Sequence, residues 1–275
     1  QNIASGLLKM GMVTDSEFVD INNDNKKELV VVGEWMPVKV YEFSNDVFVD
    51  ISDDLGLDKS NGLYNTLKIV DVNNDSFKDI ILGNYGLNSS FEASIDKPLT
   101  LLVNDFDNNR KTEQIIGMYY GNDLYPIVQL KDLWMQIPIL KKKYLKFENY
   151  KNKKLLELFS KEIIDKTEKK YVYNLASGIL INDLGNQFTL EYLPFEAQLS
   201  PIYSILSENL NNDDYKDIII GGNIMTVKPE FGINNGSFSL LLLGMKDSKF
   251  KSLNSKESGL FVKGEVRDII KMKVN

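Results

Sequence analysis

Apolar residues in this chain occur mostly in short runs of strand length, and many of these runs end at a glycine. Four runs directly follow a polar loop, at residues 29–32, 80–82, 114–116 and 218–220. Alternating or β-branched sequence also precedes the loops, for example at residues 66–70. The pattern therefore predicts a repeated unit of strand, polar loop and strand.

Further hairpins are predicted between these units, each with turn residues between two β-type runs. They pair residues 38–43 with 47–51, 178–181 with 187–192, and 239–243 with a strand that begins near Phe250. Residues 264–274 are predicted to form the first strand of a further, incomplete sheet.

The spacing of the polar loops indicates the architecture. They begin at positions 20, 71, 105 and 209, and the first interval fits one four-stranded blade. The shorter second interval predicts that the third loop joins the other strand pair of its own blade. β-Repeats of about 40–50 residues are typical of propellers. We therefore predict an all-β fold, a β-propeller with about four to five blades' worth of strands, as part of a larger propeller of about seven blades.

One segment departs from the β pattern. Residues 130–166 are rich in Leu and Lys, with apolar positions at helical spacing, and Pro138 interrupts them. This predicts a helical insertion of two or three short helices. The predicted organisation is thus 1–129 for the first blades with three of the polar loops, 130–170 for the insertion, and 171–275 for further blades with the fourth loop. The insertion is either a cap packed over one face of the propeller or a lid that docks a partner.

The polar loops carry the candidate chemistry, because each places side-chain oxygens at loop positions 1, 3, 5 and 9. Calcium takes six to eight oxygen ligands, and the main-chain carbonyl of position 7 would add one more. The predicted ligand sets, in the order 1, 3, 5, 7 and 9, are Asp20, Asn22, Asp24, Lys26 and Glu28 in loop 1; Asp71, Asn73, Asp75, Phe77 and Asp79 in loop 2; Asp105, Asp107, Asn109, Lys111 and Glu113 in loop 3; and Asn209, Asn211, Asp213, Tyr215 and Asp217 in loop 4.

An EF-hand does not fit these loops, because it needs a bidentate acid at position 12 and a following helix. Position 12 is apolar in all four loops, whereas position 9 is always acidic. Position 4 is always Asn, which tolerates left-handed backbone and so fits a tight turn. Loop 4 has two carboxylates among its ligand positions, which predicts the weakest site. The alternative is that all four are Asx-rich turns without metal.

Composition narrows the range of functions. The chain has 275 residues and a net charge of −7, which argues against a nucleic-acid partner. It has neither Cys nor His, which excludes disulfides, Ser-His-Asp triads and histidine or thiolate zinc sites. No apolar run is long enough to span a membrane. The sequence opens with Gln1 rather than Met and carries no signal peptide, so we expect a processed product or a fragment of a longer chain.

With these loops and strands, the chain resembles the FG-GAP/VCBS-repeat family, whose propellers include those of integrin α-subunits. Residues 31–38, 83–89, 177–182 and 193–198 are similar to large VCBS-repeat surface proteins of Bacteroidota related to cartilage acidic protein. The resemblance implies a secreted or cell-surface propeller, associated with the outer membrane, within a longer chain. It implies calcium as the cofactor and no particular activity.

Three functions remain open at this point. The first is a non-catalytic binding or scaffold module for a protein or glycan partner. In it, exposed aromatic residues could stack on sugars, such as Trp35, Tyr85, Tyr119, Tyr120 and Tyr125. The second is a carbohydrate-active enzyme with two carboxylates, although no pair outside the loops stands out and Glu34 and Glu196 are only the nearest candidates. The third, from the family context alone, is an accessory subunit of an outer-membrane uptake or secretion complex.

Overall fold

The computed structural model describes residues 5–228 and 232–273. The predictions that concern residues 1–4 and 274–275 lie outside the described residues. The chain forms two compact units: unit 1 comprises Gln1–Ser90 and Asn174–Asn275, and unit 2 comprises Phe91–Tyr173. Among the described residues, no helix combines the length and the apolar character needed to cross a membrane.

The described residues contain mainly strands and a few short helices. The strands are β1 (Met12–Val19), β2 (Glu28–Met36), β3 (Lys39–Ser44), β4 (Val47–Asp50), β5 (Gly62–Leu63), β6 (Thr66–Val70), β7 (Asp79–Gly83), β8 (Leu99–Asn104), β9 (Glu113–Tyr120), β10 (Asp123–Pro126), β11 (Glu168–Val172), β12 (Gly178–Asp183), β13 (Gln187–Tyr192), β14 (Ile202–Glu208), β15 (Asp217–Gly222), β16 (Leu240–Gly244) and β17 (Phe250–Leu253). The helices are α1 (Leu130–Gln136), α2 (Leu140–Lys143), α3 (Lys161–Asp165) and α4 (Ser255–Ser258), with short 3-10 helices at Ser5–Leu7, Phe147–Asn149, Leu155–Glu157 and Phe195–Gln198.

Four antiparallel sheets result, in agreement with the predicted all-β class. Unit 1 contains sheet A (β1-β2-β3-β4, with β5 beside β2), sheet B (β13-β12-β7-β6) and sheet D (β14-β15-β16-β17). Unit 2 contains sheet C (β10-β9-β8-β11). The three predicted hairpins form as β3–β4, β12–β13 and β16–β17.

The sheets of unit 1 pack face to face through two apolar cores. Ile80 and Leu82 of β7 join the core with sheet A, while Ile81 joins the core with sheet D. Successive side chains of a strand point to opposite faces, so sheet B needs apolar residues on both faces. That requirement explains the continuous apolar run at residues 80–82.

Loop 3 joins the first two strands of sheet C in chain order, as the other loops do in their sheets, so the prediction that it joins the other strand pair of its blade is wrong. Its strands also lie outside the sheet of loop 2. Sheet B is instead completed by β12, which pairs with β7 through Ile179 opposite Ile81. Loop 3 connects β8 and β9 in sheet C of unit 2. The short spacing between loops 2 and 3 reflects the insertion of unit 2 between two strands of one sheet.

The predicted helical segment forms short helices, and α1 ends two residues before Pro138. These helices pack against sheet C, where Leu133 and Leu155 are fully buried beside Leu102 and Ile115. The helices, sheet C and loop 3 thus belong to one unit that begins at Phe91.

The predicted strand at residues 264–274 is not found in its described part, 264–273. The main-chain N–H of Val266 donates to the carbonyl of Gly222 at 2.8 Å, but no ladder of such bonds follows in these described residues. A strand requires a ladder with a neighbour, and one bond does not provide it.

Candidate metal centres

The four polar loops occupy the same position in their sheets, each between two antiparallel neighbouring strands. They connect β1 to β2, β6 to β7, β8 to β9, and β14 to β15. Position 12 lies inside the second strand in every case, so the structure gives these loops no EF-hand helix.

The acid at position 9 is the anchor of each loop. One of its carboxylate oxygens accepts a hydrogen bond from the main-chain N–H of position 2, at 3.0, 2.9, 2.9 and 2.8 Å in loops 1 to 4. These acids are Glu28, Asp79, Glu113 and Asp217, and all four are buried. They are also the only buried carboxylates of the described residues. Burial of an acid without a cationic partner is costly, and a bound cation would offset that cost.

Position 5 shapes the second half of each loop. Its side-chain oxygen accepts a hydrogen bond from the N–H of position 7, at 2.7–2.8 Å in all four loops. Position 4 has a positive φ in each loop, between 59° and 62°, as expected for the Asn that recurs at this position in all four loops. In loop 1 the side-chain oxygens of positions 1 and 3 also accept main-chain N–H bonds from within the loop.

Loop 3 has the most compact carboxylate group. Carboxylate oxygens of Asp105, Asp107 and Glu113 lie within 4.8 Å of one another. Oxygens at this spacing can share one cation, since calcium–oxygen distances are about 2.3–2.6 Å.

Three loops also contain a buried oxygen that has no hydrogen-bond partner among the described residues. These atoms are Asp71 Oδ1 at position 1 of loop 2, Asp107 Oδ1 at position 3 of loop 3 and Asn209 Oδ1 at position 1 of loop 4. Leaving a buried acceptor unsatisfied costs about 1–3 kcal/mol. All three belong to predicted ligand positions, so a bound cation would satisfy them.

Loop 4 differs from the others in its first position. The amide of Asn209 donates to the main-chain carbonyl of Asp213, whereas the Asp at position 1 of loops 1, 2 and 3 accepts main-chain N–H bonds. Leu210 at position 2 is also partly exposed, while its counterparts Ile21, Val72 and Phe106 are buried. Among the described residues, loop 4 therefore lacks the main-chain bonds to position 1 that the other three loops share.

Burial raises the pKa of two of the position-9 acids, Asp79 and Glu28. It raises the pKa of Asp79 to about 6, although main-chain hydrogen bonds from Asn182 and Val72 act in the opposite direction. Burial likewise raises the pKa of Glu28. Both shifts express the cost of a buried negative charge in the absence of a cation.

Asn182 supports loops 1 and 2 and was not among the predicted site residues. Its buried amide donates to the carbonyls of Ile21, at 2.8 Å, and Lys78, at 3.0 Å, and its N–H bonds Asp79 at 2.9 Å. Asn182 comes from β12, about a hundred residues beyond loop 2. An amide residue directly after the apolar run 179–181 was the only signal that could have indicated it.

The candidate residues outside the loops occupy different environments. Glu34 is half-buried and Glu196 is exposed. Trp35 is buried, whereas Tyr120 is exposed and meets Tyr125 edge to face at 6.2 Å between ring centroids.

Comparison with protein-family models gives no match, and a search of curated proteins also finds none.

Proposed function

We propose that this protein is a calcium-stabilised, non-catalytic binding or scaffold module of the FG-GAP/VCBS type, acting at the cell surface or outside the cell. One observation carries the proposal. The buried oxygens without hydrogen-bond partners in loops 2, 3 and 4 are all at positions that the calcium pattern predicts as ligands.

The donor set favours a hard cation. The loops offer carboxylates, side-chain amide oxygens and a main-chain carbonyl, and this set lacks nitrogen and sulfur donors. Oxygen sets of this kind suit calcium more than zinc or copper. Positions 1, 3, 5 and 9 would hold the ion with their side chains and position 7 with its carbonyl.

A repeated contact in unit 1 supports a propeller. Position 14, counted from the start of each loop of unit 1, lies within or directly after the second strand, and its carbonyl accepts a bond from the segment at or near the start of the next sheet. Gly33 accepts from Tyr64 at 3.3 Å, and Asn84 accepts from Ile202 at 3.1 Å.

The Gly222–Val266 bond follows the same rule at position 14 of loop 4. The chain at Val266 therefore contacts sheet D as the start of β14 at Ile202 contacts sheet B. This equivalence supports the interpretation of unit 1 as consecutive blades of a larger propeller.

A scaffold role agrees with the positions of the buried carboxylates. Glycoside hydrolysis needs two carboxylates on either side of the scissile bond. The buried carboxylates of the described residues all anchor the polar loops. Calcium in these loops would hold the strand ends rigid and leave the other surfaces for partner contacts.

Affinity electrophoresis in gels that contain single polysaccharides would test this function, with a parallel assay for released reducing sugars. Retarded migration with no sugar release supports a glycan-binding module. Release of reducing sugar that is lost in Glu34→Gln contradicts the non-catalytic proposal.

A further inference from the structure

Positive charge is concentrated in one part of unit 2, the lysine-rich segment (residues 130–154). It contains eight lysines and two carboxylates, in a chain whose net charge is −7. Every lysine of the segment except Lys154 is exposed. The segment therefore presents a basic surface on an acidic protein.

Some of these lysines are engaged within unit 2. Lys154 forms an ion pair with Asp123 at 2.7 Å, and Lys143 donates to the carbonyl of Leu158 at 2.8 Å. Lys142 and Lys146, in contrast, form no side-chain hydrogen bond or ion pair with any described residue. Their charges face solvent.

Large apolar side chains are exposed between these lysines. Ile139 is 57% exposed, Leu145 is 68% exposed and Phe147 is 63% exposed. Single exposed apolar residues are common, but three within nine residues mark a candidate interaction surface.

The segment that carries these exposed side chains is anchored to the core of unit 2. Leu140 and Tyr144 alternate with the exposed residues and are buried in the core of unit 2. The hydroxyl of Tyr150 also donates to the carbonyl of Val128 at 2.7 Å. The exposed side chains thus project from an anchored segment.

We propose that residues 139–147 bind the surface of an anionic lipid membrane, with Ile139, Leu145 and Phe147 entering the headgroup boundary. Lys142 and Lys146 would then lie at the level of the acidic headgroups. Interfacial segments combine apolar residues that enter the membrane with lysines that pair with anionic lipids. An acidic protein or polysaccharide would match the lysines but would give the protruding apolar side chains no apolar environment. This inference assigns a separate surface and does not depend on the proposed calcium sites.

Vesicle co-sedimentation of the full chain tests the proposal at one fixed calcium concentration. We expect binding to vesicles of equal parts phosphatidylcholine and phosphatidylglycerol, and little binding to phosphatidylcholine alone. Lys142→Glu with Lys146→Glu should weaken binding by roughly fivefold or more for each lysine. Leu145→Ser with Phe147→Ser should weaken it by about tenfold or more for each side chain, because each loses its burial in the membrane.

Matched controls come from unit 1. Lys246→Glu with Lys251→Glu reverses two exposed lysines, and Phe195→Ser removes a side chain that is 72% exposed. These variants should bind as the wild type does, and all variants should keep its melting temperature. Absence of binding to the mixed vesicles overturns the proposal. It is also overturned if the lysine variant binds less while Leu145→Ser with Phe147→Ser binds normally, since that outcome describes a polyanion site.

Discussion

The side-chain amide of Asn74 donates a 2.6 Å hydrogen bond to the main-chain carbonyl of Asp214, 140 residues further along the chain. Asn74 is position 4 of loop 2, and Asp214 is position 6 of loop 4. The same contact links loop 1 to loop 2, where Asn23 donates to the carbonyl of Ser76 at 3.2 Å. The position-4 Asn therefore both permits the left-handed turn and connects consecutive loops of unit 1.

This connection predicts different effects for two chemically identical substitutions. Asn74→Gly keeps the left-handed turn but removes the inter-loop bond, and should lower the free energy of unfolding by about 1 kcal/mol. Asn212→Gly is the matched control, because Asn212 has a φ of 59° and its amide forms no hydrogen bond with a described residue. Urea denaturation compares the two. Equal stabilities would show that the Asn74 bond contributes nothing.

The ligand positions predict a ranking of the loops. Asp71→Ala removes a carboxylate from loop 2, whereas Asn209→Ala removes a neutral amide from loop 4. Because affinity follows ligand charge, Asp71→Ala should weaken one calcium site by roughly tenfold or more, and Asn209→Ala should have the smaller effect. Calorimetric titration of calcium into the metal-free variants measures both. A larger loss in Asn209→Ala would contradict the assigned roles.

The buried acids predict the pH dependence of the metal-free protein. The pKa of Asp79 is about 6 in the folded state, against an ordinary value of 3.8. Between these values the folded chain binds more protons than the unfolded chain, so its stability falls as pH rises through this range. The free energy of unfolding of the metal-free protein should therefore rise as the pH falls from 7 to 5, and it should rise by more than that of the Asp79→Asn variant.

Urea denaturation of chelated and dialysed protein at the two pH values measures this effect. Calcium-loaded protein should show the opposite trend, because protons compete with the ion for the same carboxylates. An identical pH slope in wild type and Asp79→Asn without metal would remove Asp79 as the source.

The local features of the fold were predictable from the sequence because they depend on short-range physics. Alternating apolar positions and turn residues indicated the hairpins β3–β4 and β12–β13, and regular oxygen spacing indicated the four loops. Leu and Lys at helical spacing indicated the helices of unit 2. Each of these signals lies within about twenty residues of sequence.

Long-range pairing was not predictable in the same way. Ile81 pairs with Ile179, although all of unit 2 lies between them in the sequence. An apolar strand sequence does not indicate which distant strand it pairs with. Trp35 adopts a φ of 60°, which is rare for a bulky residue and has no local sequence signal. Asn182 supports two loops only because β12 returns to sheet B. In the candidate sites, the ligand positions were therefore predictable and their supporting contacts were not.

Thermal unfolding with and without a chelator tests the central claim most directly. A ligand that binds only the folded state stabilises it by mass action, by about 2.7 kcal/mol at one hundred times its Kd. Excess EDTA should therefore lower the melting temperature by several degrees, and added calcium in excess of EDTA should restore it, while magnesium should restore it less. An unchanged melting temperature in EDTA, with protein shown by elemental analysis to be metal-free, would contradict calcium binding by these loops.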